Sequence, residues 1–260
     1  MEVLIARPHE LAGLAADAVE DLLRTRPDAV LGLATGSSPL RVYDELADRY
    51  RSGRVSFARA CAFTLDEYVG LPAEHPERYR NVIHREIGSR VDFAPGAVQS
   101  LDGNAPDPVA ACRDYEAAIA GAGGVDLQIL GIGSDGHVAF NEPGSSLASR
   151  TRVKTLTRQT REDNARFFGG DAGAVPRHCL TQGMATIMAA RHMVLLATGA
   201  GKAEAVRQLV EGPVSALWPS TLLQMHPHVT VLVDDEAAAR LSLADYFREA
   251  SAAKSAVPAG

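Results

Sequence analysis

Residues 125–146 read Val125-Asp-Leu-Gln-Ile-Leu-Gly-Ile-Gly-Ser-Asp-Gly-His-Val-Ala-Phe-Asn-Glu-Pro-Gly-Ser-Ser146. An apolar run ends in Gly131, Gly133 and Gly136, the spacing of a dinucleotide-binding turn. That turn must open a helix packed on its own strand. Here Pro143 and Gly144 follow Asn141 and Glu142, and the next stretch is rich in Ser, Thr and Arg. The glycines are therefore expected to shape a loop at a strand end, one that gathers Asp135, His137 and Glu142. Two acids and a histidine within eight positions form an acid/base cluster, because the order lacks the HExxH spacing and no cysteine is near to complete a zinc site. Carboxylates beside a histidine fix its tautomer and raise its basicity, which suits proton transfer near neutral pH.

Working outward, short apolar runs recur at Val3–Ala6, Val30–Ala34, Cys61–Leu65, Val125–Gly131, Met193–Thr198 and Val229–Val233. Each reads as a buried parallel strand. Helical patterns lie between them at His9–Arg24, Pro39–Arg51, Pro76–Ile87, Asp107–Ala120, Gly201–Glu211 and Asp235–Ala250. The alternation predicts an α/β fold with a mostly parallel sheet covered on both faces. Ligands of such sheets bind beyond the carboxyl ends of the strands. The 260 residues suit one domain, and only the last ten, Ser251–Gly260, have the composition of a loose tail. The polar stretch Arg150–Leu180 interrupts the alternation and is expected to be a lid or binding loop.

A formal charge of −6 gives no global field for a polyanion and argues against a nucleic-acid partner. Cys61, Cys112 and Cys179 are odd in number and widely spaced, which reads as reduced thiols in a cytoplasm rather than disulfides. No segment reaches the apolar length of a membrane span, so a soluble chain without a membrane partner is expected.

Two further strand ends carry chemistry. After the second strand, Thr35-Gly36-Ser37-Ser38-Pro39 combines a glycine, hydroxyls and a helix start, with Pro39 at the first helical position and Ser37 or Ser38 as cap. Such a turn binds anions or is simply a capped turn. Lys202 in Ala197-Thr-Gly-Ala-Gly-Lys202 is not a nucleotide P-loop, since Leu196 and Ala203 stand where glycine and a hydroxyl residue are needed. A cation at a helix start, disfavoured by the dipole, suits an anionic ligand. Asp66 and Glu67 follow the third strand; adjacent strand residues face opposite ways, so only one can face a crevice there.

Taken in order, LGLATGSSP, LDEYVGL, GIGSDGHVAFNEPGSSLASRTR, TLTRQTREDNARFF and LATGAGKAEAV resemble the glucosamine-6-phosphate deaminases over nearly the whole chain. The resemblance implies a three-layer αβα, Rossmann-like fold of the NagB/RpiA kind, and conversion of glucosamine 6-phosphate and water to fructose 6-phosphate and ammonia in amino sugar catabolism. It implies Asp66 as the base that moves a proton between C2 and C1, and His137 as the ring opener, oriented by Asp135 and Glu142. Gly36, Ser37, Ser38, Arg166 and Lys202 would hold the phosphate; Ser37 and Ser38 stand where the family often has glycine and threonine, keeping small size and a hydroxyl. No cofactor and no metal are implied. In some members, residues matching Ser145, Arg152, Lys154 and Thr155 form a second phosphate site at a subunit interface, where N-acetylglucosamine 6-phosphate activates, with Tyr246 near the matching tail position. The resemblance thus tilts the expectation to a homo-oligomer, a hexamer being favoured. Of its relatives, 6-phosphogluconolactonases share the phosphate loop, but ester hydrolysis has no evident use for LDEY and FNEP. A non-catalytic sugar-phosphate sensor would carry a DNA-binding domain for which no length is left over.

Overall fold

In the computed structural model, which describes residues 1–256, ten strands are β1 Glu2–Ile5, β2 Val30–Leu33, β3 Cys61–Thr64, β4 Asp66–Tyr68, β5 Val98–Gln99, β6 Leu127–Leu130, β7 Arg152–Thr155, β8 His178–Thr181, β9 His192–Ala197 and β10 Val229–Val233. The α-helices are α1 Pro8–Thr25, α2 Ser37–Arg51, α3 Tyr79–Ile83, α4 Pro108–Gly121, α5 Arg158–Asn164, α6 Met184–Ile187, α7 Ala203–Glu211 and α8 Ala244–Ala256. Seven strands form one sheet in the order β1-β10-β9-β6-β2-β3-β5, and every pairing in it is parallel.

Side chains alternate across this sheet. Leu195, Val231 and Val233 pack with Tyr115 and Ile119 of α4 and Val206 and Leu209 of α7 on one face. Val194, Leu196 and Leu232 pack with Leu11 and Val19 of α1 and Leu46 of α2 on the other. Burial on both faces is why these strands are apolar throughout rather than alternating. The result is the expected three-layer αβα arrangement. One exception in the middle is Gln128 of β6, fully buried beside Gly32 of β2; a Cβ on Gly32 would lie 1.9 Å from Gln128 Oε1, so a larger residue there would force that buried amide to move.

From β2 the chain moves to β3 on one side, whereas from β6 it moves to β9 on the other. The loops after β2 and β6 therefore diverge and leave a crevice between them.

Three expectations need correction. The interruption Arg150–Leu180, expected as a lid or binding loop, carries a strand at each end: β7 and β8 pair antiparallel, and β8 pairs antiparallel with β4, so a second sheet β4-β8-β7 stands beside the first. The last helix begins at Ala244, not Asp235, because Asp234 Oδ1 accepts from Ala237 N and holds residues 235–240 in turns; it continues to Ala256, so the expected tail is helical where described, and residues 257–260 lie outside the described residues. Finally, α2 begins at Ser37 with Gly36 as its N-cap and no side-chain cap. Pro39 is thus in the third helical position, and neither serine caps the helix.

Candidate active site

A cavity of about 360 Å³ opens where the β2, β3, β6 and β9 strands end, lined by Gly36, Ser37, Ser38, Asp66, His137 and Lys202, with Arg166 approaching from the segment after α5. Its volume falls in the range of small-ligand sites. Of the residues singled out for catalysis or phosphate binding, only Asp135 and Glu142 are not on its wall, and both stand behind His137.

Asp66 and Glu67 divide as the strand alternation requires. The Glu67 carboxylate, wholly buried, accepts from Tyr68 N and Tyr79 N at 2.9 Å and from Arg80 N at 3.0 Å, with Arg78 Nε 3.8 Å away. It ties the start of α3 to β4. Asp66 faces the cavity. Burial, and secondarily the negative charge of Glu67, push its carboxyl well above the ordinary range, because both disfavour the ionised form.

The loop after β6 places His137 Nδ1 2.7 Å from Asp135 Oδ1 and 3.9 Å from Glu142 Oε2. The approach is too bent for an aligned hydrogen bond, so the interaction is chiefly a close electrostatic one. Burial works against a charge on Asp135, but the His137 ring outweighs it and holds that carboxyl below the usual range. Two glycines make this loop possible. A Cβ on Gly133 would sit 2.3 Å from the His137 ring, and one on Gly136, whose φ is +79°, would sit 2.6 Å from the Trp218 ring.

Glu142 accepts from Thr157 N at 3.0 Å and Thr160 Oγ1 at 3.0 Å, so it also anchors the start of α5. Asp135, His137 and Glu142 offer ligand atoms within 4.8 Å of one another, close enough to share a metal ion. The carboxylate oxygens of Glu142 already accept from Thr157 N and Thr160 Oγ1, and Asp135 Oδ1 accepts from His137 N at 3.2 Å.

At the other end of the cavity, the first N–H groups of α2 have no intrahelical acceptor and no side-chain cap. Lys202 ends a short 3₁₀ turn leading into α7. Burial, with Arg166 adding to it, lowers the Lys202 ammonium pKa, partly offset by Asp163 and Asp135. A dianion would reverse that tendency. Sequence reasoning missed Tyr79, Asn164 and Thr198 on the wall. Only Thr198 left a local signal, since Leu196–Gly199 repeats the tetrapeptide Leu33–Gly36.

The second cluster is only partly gathered. Among the described residues, the buried Ser145 Oγ and Arg152 Nη2 have no hydrogen-bond partner, while Arg152 Nη1 donates to Asn141 Oδ1 at 2.9 Å. Lys154 and Thr155 follow on β7. Tyr246 is exposed on α8, which packs along β1, whereas β7 packs on α4 and β8.

Residues 6–232 match the family model described as glucosamine-6-phosphate isomerases/6-phosphogluconolactonase. The chain belongs to this family. Within it, a glucosamine-6-phosphate deaminase of Mycolicibacterium smegmatis is 70% identical over 257 residues, 98% of each chain. A solved structure of a monomeric glucosamine-6-phosphate deaminase of the NagB superfamily is 41% identical, with a TM-score of 0.90 over 92% of this chain and 100% of that one. A 6-phosphogluconolactonase of Trypanosoma cruzi, 24% identical, has a TM-score of 0.75 over 93% of this chain and 97% of that one; that likeness shows the shared fold.

Proposed function

We infer that this chain is a glucosamine-6-phosphate deaminase, an enzyme of amino sugar catabolism that converts glucosamine 6-phosphate and water to fructose 6-phosphate and ammonia. The observation that carries the reading is Asp66 and His137, the latter backed by Asp135, on one cavity whose far end is an open helix start with Lys202. Ester hydrolysis of a lactone would need one base near a water. Isomerisation needs two separated proton-transfer groups, and this cavity has them.

The steps follow from the groups. Gly36, Ser37 and Ser38, with Arg166 and Lys202, hold the phosphate, which carries roughly −1.5 to −2 charges at pH 7. Anchoring that end fixes C2 against Asp66. Asp135 keeps the His137 Nδ1 proton, leaving Nε2 to take the proton of the anomeric hydroxyl and return it to the ring oxygen, which opens the pyranose. The Asp66 carboxylate then takes the C2 proton as the substrate's ammonium passes one to O1, giving a neutral enolamine, and delivers its proton to C1, giving a protonated ketimine. Water adds to C2 of the ketimine, and the amine leaves as ammonia. Glu142, fixed by Thr157 and Thr160, orients His137 and couples it to α5.

We also propose that residues 155–180 form a lid on a single domain. Its end is held to the body by backbone, with Val69 N donating to His178 O at 3.0 Å within the β4–β8 pairing, while its middle adds side-chain contacts, Asn164 Nδ2 to Tyr68 Oη at 3.0 Å and Ser134 Oγ to Asp163 Oδ2 at 3.1 Å, which part at small cost. Free Cys61, Cys112 and Cys179 support a cytoplasmic place. Among the described residues, no helix is long and apolar enough to cross a membrane.

The buried, unpartnered Arg152 Nη2 and Ser145 Oγ support a second phosphate site with Lys154 and Thr155, in which N-acetylglucosamine 6-phosphate activates. Tyr246 joins it only from a neighbouring subunit, which favours a homo-oligomer, a hexamer by preference.

Two measurements test these readings. A coupled assay of ammonia and fructose 6-phosphate should show stoichiometric formation of both from glucosamine 6-phosphate; turnover of 6-phosphogluconolactone instead would overturn the activity. N-acetylglucosamine 6-phosphate should lower the half-saturating substrate concentration several-fold in the parent and leave Arg152→Ala unchanged. Hyperbolic curves indifferent to that ligand in the parent would remove the second site.

A further inference from the structure

Leu33-Ala34-Thr35-Gly36 and Leu196-Ala197-Thr198-Gly199 are the same tetrapeptide, and the fold puts both in equivalent places, at the carboxyl ends of β2 and β9, the two strands that flank β6. The glycines share one conformation, φ 108° and ψ 161° at Gly36 and φ 87° and ψ 155° at Gly199, and each leads into a helical turn with no side-chain cap from its own residue. A positive φ of this kind is open to glycine and closed to most other residues.

What differs is the fate of the amides. Gly199 N donates to both carboxylate oxygens of Asp234 at 3.1 and 3.0 Å, and Ala200 N to Glu236 Oε2 at 3.2 Å. The second turn is therefore an anion cradle already filled by the loop after β10. Among the described residues the α2 turn receives no such carboxylate, which leaves the amides at Ser37 and Ser38 open to an external anion.

The second turn still reaches the cavity through its side chain. Thr198 lines it with Lys202, and Thr198 Oγ1 lies 3.2 Å from Ser38 Oγ. One hydroxyl of such a pair donates to the other, and the acceptor's own proton is left for a third partner. With Ser38 donating, Thr198 has a proton free for a ligand that only accepts.

We propose that Thr198 is a ligand of the substrate's phosphate and a specificity residue for phosphorylated over unphosphorylated amino sugar. The proposal rests on reading this end of the cavity as the phosphate site. A hydrogen bond to a charged acceptor corresponds to roughly a tenfold change in affinity or more.

The test is steady-state kinetics on the full chain, with inorganic phosphate as a competitive probe. Thr198→Val should raise KM for glucosamine 6-phosphate about tenfold, weaken phosphate inhibition in parallel, and leave kcat within about twofold. Thr198→Ser should restore both constants, which a purely packing role for the methyl group would not allow. Thr198→Ala carries the same expectation if the valine variant melts early. Lys202→Ala separates the two ways of failing. Phosphate inhibition weakened in Lys202→Ala but unchanged in Thr198→Val and Thr198→Ala overturns the assignment of Thr198 alone; unchanged in all three, it overturns the phosphate site as well.

Discussion

Asp66→Asn is expected to lower kcat by about 10² to 10⁴, the range supplied by a positioned general base, while the protein stays folded. An amide of nearly the same shape keeps the packing and loses the lone pair that takes the C2 proton, so exchange of that proton with solvent in D₂O should disappear together with turnover. The stability effect has a definite sign. Burial, then the charge of Glu67, raise the folded-state pKa of Asp66 well above its ordinary value. Its stabilising contribution is then fully present below the unfolded pKa, about 3.9, and is lost as pH rises through the raised folded value. Once ionised, Asp66 weighs against the fold, and above the folded-state pKa the asparagine variant should melt no lower than the parent. The same shift places the acid limb of the parent's kcat profile above the ordinary carboxylate range, with activity rising as Asp66 ionises. A variant that keeps kcat within tenfold of the parent, or still exchanges the C2 proton, would remove Asp66 from the mechanism.

Glu67→Ala is expected to cost about 3–5 kcal/mol of stability, as for breaking a buried charged pair, seen as a fall in Tm of roughly 10 °C. The carboxylate is fully buried and accepts from the amides of Tyr68 in β4 and of Tyr79 and Arg80 at the start of α3; alanine leaves all three without that acceptor. Tyr79, the first residue of α3, lines the cavity, so kcat should fall as well. Glu67→Gln is milder and more informative. It keeps an oxygen for two of the amides but turns an NH₂ toward the third, and it removes the charge that helps raise Asp66. The acid limb of the kcat profile should therefore move to lower pH than in the parent. An acid limb left in place would show that burial alone sets the Asp66 pKa.

Much of this site was legible in the sequence because its parts are local. The loop glycines, His137 and its two acids lie within twelve positions, and the apolar runs that became β2, β3, β6, β9 and β10 announce themselves because strands buried on both faces have no polar alternation to disguise them. The role split between Asp66 and Glu67 was likewise legible as an alternation, though the local pattern does not say which of the two faces inward and only the family resemblance named Asp66. The second sheet was not. Its strands are three or four residues long and mixed in polarity, and they pair Asp66 with Thr181 and Arg152 with Thr181; β4 and β8 are more than a hundred residues apart, so no local periodicity records the pairing. For the same reason Arg150–Leu180 read as a loop.

The sequence by itself determined the layer architecture, the strand ends at which chemistry could occur and the acid/base set at Asp135, His137 and Glu142, since strand burial and turn chemistry are written in neighbouring residues. Only the tertiary structure decided that Asp66 faces the cavity while Glu67 holds α3. It alone showed that Glu142 is tied to α5 as well as placed near His137, and that of two identical Leu-Ala-Thr-Gly turns one is open to an anion and the other is filled by Asp234 and Glu236. The physical reason is that these outcomes depend on which distant carboxylate or amide reaches a group first, a competition that identical local sequence cannot resolve.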